Sequence, residues 1–102
     1  MHETRTIAEW AIGLKLVEIP ENVKAHARRF ILDNFGCQVA GATLPWSKDY
    51  HRVITRTRSG KGATVAFYGD QLAPDDAAFL NSAFNHANET DDTHLKSPTH
   101  PG

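Results

Sequence analysis

A chain of 102 residues with 40% hydrophobic content and a formal net charge of -1 reads as at most one ordinary globular domain, which sets aside disordered, fibrous and membrane-spanning classes. Lys and Arg are offset by Asp and Glu along the whole length, so no basic face is offered to a nucleic-acid backbone. At this size folding buries only roughly two-thirds of the surface of the unfolded chain, and stability has little margin.

Thr4 or Thr6 can cap a first helix running to about Leu16, in which Ile7, Trp10, Ala11 and Leu14 recur at i, i+3, i+4 and i+7 and predict one buried stripe. Pro20 stands where a first helical residue would, and Glu21 suits the positive helix end, so a second helix starts there. Its expected inward side carries Val23, Ala27, Phe30, Ile31, Asn34, Phe35, Gln38, Val39 and Ala42. The segment 36–42 is rich in small residues, and each Gly there costs about 1 kcal/mol of helix propensity relative to Ala. A tight crossing with another helix is the expected compensation, with the lone Cys37 as a small buried hydrophobe.

Leu44-Pro45 breaks the chain. Trp46 to about Thr57 then reads as a third helix with Trp46, Tyr50, Val53 and Ile54 facing inward. The basic run at 52–61 reads as a solvated helix face followed by a turn. Ser59-Gly60-Lys61-Gly62 superficially suggests a phosphate-binding loop, but the earlier Gly is absent and no strand leads into it. Residues 63–68 predict a short strand, with Gly69-Asp70 turning into Gln71-Leu72 as a hairpin partner. Pro74-Asp75-Asp76 opens a fourth helix through about Asn88, carrying Ala77, Ala78, Leu80, Phe84 and Ala87. The expected architecture is mainly α: a bundle-like fragment of four helices with at most a short β-hairpin.

A single cysteine excludes an internal disulfide and fits a reducing compartment. No stretch approaches the roughly 20 apolar residues of a bilayer span, and residues 1–5 lack the apolar region of a signal peptide. The expected location is cytoplasmic, with an organelle matrix as the alternative.

Residues 86–102 gather three carboxylates, three imidazoles and two of the chain's threonines around a helix end, with a third threonine in the closing Thr99-His100. Adjacent acids perturb each other and a histidine titrates near neutrality, so the segment supplies what proton abstraction and return require. Two other readings stay open. Asp91, Asp92, His94 and His100 could bind a divalent ion, although no recognised ligand spacing is present and no metal is assigned. Asp91, Asp92 and Thr93 could instead simply satisfy backbone donors in a capping loop.

Several ordered segments also resemble the MmgE/PrpD family of 2-methylcitrate dehydratases and cis-aconitate decarboxylases. Ala8-Glu9-Trp10-Ala11 and Ile19-Pro20-Glu21-Asn22-Val23 are similar to its opening helices, and Leu32-Asp33-Asn34-Phe35-Gly36-Cys37-Gln38-Val39-Ala40-Gly41 to its small-residue helix. Gly62-Ala63-Thr64-Val65 and Leu72-Ala73-Pro74-Asp75-Asp76-Ala77-Ala78-Phe79-Leu80-Asn81 resemble its hairpin and following helix. The most specific likeness is His86-Ala87-Asn88-Glu89-Thr90-Asp91-Asp92-Thr93-His94 with Thr99-His100-Pro101-Gly102. Departures are Asn88 and Thr90 at commonly apolar positions and Ser82 where the family favours Gly.

The resemblance implies that residues 1–102 form the first part of a large helical domain, with a smaller lid domain absent. It further implies a homodimer when full-length, and dehydration, decarboxylation or epimerisation of small di- and tricarboxylic acids without an organic cofactor or iron–sulfur cluster. Carried over, Glu89, Thr93 and His100 line the pocket, with His100 as proton donor or acceptor, Glu89 as its assisting acid and Thr93 bonding a substrate carboxylate. Asp91 is a further catalytic candidate, and Asp92 and His94 are candidates for substrate binding. The resemblance also implies further basic residues and another histidine downstream. A second hypothesis, from another class, is a truncated, catalytically inactive helical interaction module. An in-frame continuation past Gly102 favours the first and a true stop the second.

Overall fold

The computed structural model describes residues 2–97 and 99–100. Helix α1 spans Glu3–Gly13, a 3₁₀ turn covers Leu16–Glu18, and α2 spans Glu21–Ala42. After a short break α3 runs over Pro45–Thr57, strands β1 (Ala63–Thr64) and β2 (Gln71–Leu72) form an antiparallel pair, and α4 runs over Pro74–His86. The mainly helical expectation stands, with several local corrections. Thr4 and Thr6 lie inside α1 and cap nothing; the flanking residue is His2, whose carbonyl takes the Thr6 hydroxyl at 3.0 Å. Pro20 flanks α2 rather than opening it, while Pro45 and Pro74 each occupy a first helical position, where the missing N–H costs nothing. The first strand is two residues long rather than six, because the chain turns at once through Phe67 and Gly69, both at positive φ.

That turn is tied down by side chains. Asn81 of α4 accepts from the Ala66 N–H at 2.8 Å and donates to the Thr64 carbonyl at 3.1 Å, so the hairpin is stitched to α4. His51 of α3 meets the Asp70 carboxylate at 2.6 Å and stacks on Tyr68 with 3.8 Å between ring centroids. The Tyr68 hydroxyl donates to the Ala42 carbonyl at the end of α2, satisfying one of the carbonyls that a helix end leaves free. The glycine stretch at 59–62 is the turn expected of it: a Cβ at Gly60 would come within 2.8 Å of Ala73.

The core lies between α2, α4 and the hairpin and consists of Ala42, Val65, Leu72, Ala77, Leu80 and Phe84. The α4 members recur at i, i+3 and i+7, one face of a helix. Helix α2 packs chiefly on α4, and the closest approach is at Gly41, where a Cβ would sit 1.9 Å from the Phe84 carbonyl oxygen. The predicted crossing is therefore real, but it belongs to Gly41 alone; Gly36 faces open space.

The other predicted stripes are not buried. Ile7 and Trp10 of α1 are 64% and 63% exposed, α1 buries no residue, and Val23, Phe30, Ile31, Phe35, Val39, Trp46, Tyr50 and Val53 are all exposed. Those faces are apolar, but among the described residues little covers them, Tyr50 meeting the Phe79 ring edge to face at 6.4 Å. The accessible surface is 7795 Å² for a mass of 11.3 kDa, against about 5,700 Å² for a compact monomer of that mass. The radius of gyration, 16.0 Å, likewise exceeds the roughly 13 Å of a compact domain of 100 residues.

Two outcomes follow from this packing. In urea unfolding followed by circular dichroism, Gly41→Ala should destabilise the protein by about 1–3 kcal/mol through overpacking, while Gly36→Ala should stabilise it by up to about 1 kcal/mol through helix propensity. Equal responses would mean the crossing is misplaced. The chain alone should also bind a hydrophobic dye and self-associate in sedimentation, as large uncovered apolar surfaces do; a dye-silent monomer would contradict the exposed faces described above.

Candidate functional site

On α2, Asn34, Gln38 and Gly41 stand at i, i+4 and i+7 and so share one face. Because Gly41 brings that face against α4, the two amides lie opposite a polar stripe of α4 made by Asn81, Ser82 and Asn85. Between them is a cavity of about 340 Å³, within the range of small-molecule sites. The α4 stripe is adjacent to the apolar one that builds the core, so a single helix lays down both. Gln38 donates to Asn34 at 2.7 Å, which fixes the α2 wall. Among the described residues the buried side-chain oxygen of Asn85 has no hydrogen-bond partner, so it can accept from a ligand.

The cavity is completed by His86, Asp91 and His100, which the chain brings together by reversing direction after α4. The reversal is made at Glu89, whose φ is 52° and whose N–H bonds the His86 carbonyl at 3.0 Å. A non-glycine residue in this left-handed region costs about 1–2 kcal/mol, and the loop returns beneath the helix end as a result. Thr90 donates to Cys37 Sγ at 3.7 Å, linking the loop to α2. Asp91 then meets His86: Nδ1 lies 3.1 and 3.2 Å from its two carboxylate oxygens. His100 Nδ1 lies 3.2 Å from Asp91 Oδ2 and 2.9 Å from the Asp92 carbonyl oxygen. The two imidazoles meet edge to face, with centroids 4.6 Å apart.

These contacts fix where the protons are. A carbonyl oxygen can only accept, so His100 Nδ1 carries the hydrogen, shared between the Asp92 carbonyl and the Asp91 carboxylate. In the neutral ring Nε2 is then the basic nitrogen. The Asp91 side chain is only 3% exposed, and a carboxylate so placed needs strong donors; the two imidazoles provide them. His94 has the opposite arrangement: its Nδ1 accepts from the Ser97 N–H at 3.2 Å, while its backbone N–H bonds the Thr99 carbonyl at 2.9 Å. His94 thereby closes the terminal loop that delivers His100.

Of the six residues singled out in the sequence, the structure brings His100 and Asp91 into the cavity. Asp92 contributes its backbone carbonyl, His94 closes the loop, and Glu89 and Thr93 are exposed and outside the cavity lining. Pro101 and Gly102, which belong to the same motif, lie outside the described residues, as does Pro98. The sequence reading missed His86 and the wall of amides. The signals were there: an imidazole five residues before an acid across a helix end, and Asn81, Ser82 and Asn85 at one-face spacing on α4. Ligand atoms of His86, Asp91 and His100 lie within 4.8 Å of one another, a donor set that suits several divalent ions. His100 Nδ1 carries the hydrogen shared by Asp91 and the Asp92 carbonyl, so an ion would have to take its Nε2; as it stands the trio is a hydrogen-bonded cluster.

Comparison with known proteins gives sequence relatives over nearly the whole chain. The chain is 38% identical over 97 residues, 95% of its length, to a cis-aconitate decarboxylase of Aspergillus terreus. It is 32% identical over the same length to the cis-aconitate decarboxylase-like protein oryM of Aspergillus oryzae. It spans 20% of each of these relatives. No solved structure matches it. The model of the MmgE/PrpD N-terminal domain matches residues 5–102, and with that match running through every helix described above, the chain belongs to the MmgE/PrpD family of dehydratase- and decarboxylase-like proteins, within its N-terminal domain.

Proposed function

We propose that this chain is the N-terminal segment of a lyase of the dehydratase or decarboxylase type that acts on small di- or tricarboxylic acids such as 2-methylcitrate or cis-aconitate. The reaction runs by proton transfer at the carbon next to a carboxylate, without organic cofactor or metal. The observation that carries this reading is the placement of His100 Nδ1 between the Asp91 carboxylate and the Asp92 carbonyl, at a polar cavity. With Nδ1–H held by Asp91 and the Asp92 carbonyl, neutral His100 has Nε2 as the nitrogen able to take a proton from carbon, while hydroxide leaves the neighbouring carbon and departs as water once protonated. In a decarboxylation the ring starts charged, with a proton taken from solvent: the bond to the carboxylate breaks, carbon dioxide leaves, the electron pair on carbon takes the Nε2 hydrogen, and solvent reprotonates the ring. Buried Asp91 steadies the imidazolium in either case.

The wall suits such a substrate. Neutral amides and a serine hydroxyl can donate to carboxylate oxygens, and the unpartnered Asn85 oxygen can accept from a substrate hydroxyl. Glu89 and Thr93 are exposed and outside the lining; their roles as assisting acid and carboxylate donor rest on the family resemblance. No Lys or Arg lines the cavity among the described residues, so the cations that a multiply charged acid calls for come from another part of a family-length polypeptide. The exposed apolar faces favour a second reading, a helical interaction module without turnover.

The test is proton exchange in heavy water by the full-length protein, screened against citrate-like and succinate-like acids. His100→Ala should lower turnover by about 10²–10⁴-fold, the range of a general acid or base. Unchanged turnover in that variant would reject the role of His100, and no exchange on any such acid by the wild type would favour the interaction module.

A further inference from the structure

We infer that His86 is a positioning residue for His100, acting through the shared carboxylate of Asp91 and by direct ring contact; this rests on the reading of His100 as the proton-transfer group. Asp91 joins the two rings. Its side chain is 3% exposed, and the cavity walls contributed by α2 and α4 present only neutral groups, Asn34, Gln38, Asn81, Ser82 and Asn85, before His86. The charge-assisted donors to this carboxylate are therefore the two imidazoles. His86 Nδ1 lies nearly equidistant from both carboxylate oxygens, at 3.1 and 3.2 Å, a contact that fixes the plane of the carboxylate. A fixed plane aims Oδ2 at His100 Nδ1, 3.2 Å away.

His86 also packs edge to face on the His100 ring at 4.6 Å, which opposes rotation of that ring about its own axis. The two imidazoles differ in how they are held. His86 is the last residue of α4 and takes its place from the helix, whereas His100 stands on a loop. A loop-borne ring needs outside contacts to keep one tautomer and one orientation, and His86 supplies them from the rigid element.

The full-length protein tests this with His86→Ala and His86→Asn, the latter placing an amide N–H near the position of Nδ1–H. In His86→Ala, kcat should fall on the order of tenfold to a hundredfold, as when outer partners of a working ligand are removed, with KM little changed. His86→Asn should recover most of the loss. Nitrogen NMR of His100 supplies a readout that activity does not: a single Nδ1–H tautomer in the wild type, with the Nε2–H form appearing in His86→Ala and receding in His86→Asn. A His100 tautomer and kcat both unaltered in His86→Ala would overturn the inference. So would a rise in KM at constant kcat, which would make His86 a substrate contact, or an Asn variant that folds yet performs no better than Ala. Should His100→Ala itself retain turnover, the catalytic reading falls, while the NMR comparison still decides whether His86 holds His100.

Discussion

The close approach of α2 to α4 at Gly41 is the constraint on which both the core and the cavity depend. With 1.9 Å between an added Cβ and the Phe84 carbonyl oxygen, no other residue allows the two backbones to come so near without displacement. On one side of the crossing Phe84, Leu80 and Ala77 close over Ala42, Val65 and Leu72. On the other, the same rotation of α4 presents Asn81, Ser82 and Asn85 to Asn34 and Gln38. Dispersion and apolar burial fix the helix pair, and a cavity lined by amides is the by-product of where the polar residues lie on two helices already fixed.

Asp91 is the second point of dependence, because it converts a loop into a defined site. A buried carboxylate is tolerated only where donors converge on it, so its burial and the placement of His86 and His100 are a single arrangement. In a less polar surrounding than water those charge-assisted bonds are strengthened and the cost of leaving one unmade rises with them. His94, with its ring turned to accept rather than donate, closes the loop from the opposite end. Two histidines six residues apart thus take opposite proton positions, each dictated by the backbone group it meets.

Local sequence pattern was a good guide to elements and a poor one to burial. Proline positions, the small-residue segment and the hairpin signal located the four helices and the strand pair, because each reflects a backbone restriction that acts within a few residues. The stripes at Ile7, Trp10 and Leu14, or at Phe30 and Val39, measure only that a face is apolar; whether it is covered depends on what packs there, which no local pattern records. The site divides along the same line. His100 and Asp91 were legible as reactive types in a dense polar loop, and through resemblance. For His86 the sequence held only a spacing, an imidazole five residues before an acid, because the pairing with Asp91 also needs the reversal at Glu89, where φ is 52°, and nothing in the immediate neighbours announces that conformation.

Two shortages remain in the described structure, and they call for the same kind of remedy. Apolar faces of α1, α2 and α3 are exposed, and the molecule as a whole presents about 2,000 Å² more accessible surface than compact folding would, an area in the range of permanent interfaces. The cavity offers amides and imidazoles to an acid but no cation among its lining residues, and neutral donors alone compensate a multiply charged anion poorly. A covering layer that is apolar where it meets the helices and carries Lys or Arg where it meets the cavity mouth would satisfy both demands. It would also exclude water from His100, which raises the worth of every charge-assisted contact there. Relatives of which the matched 97 residues make up 20% have ample sequence for such a layer, and on the function proposed above the reaction depends on the contact that also stabilises the helices.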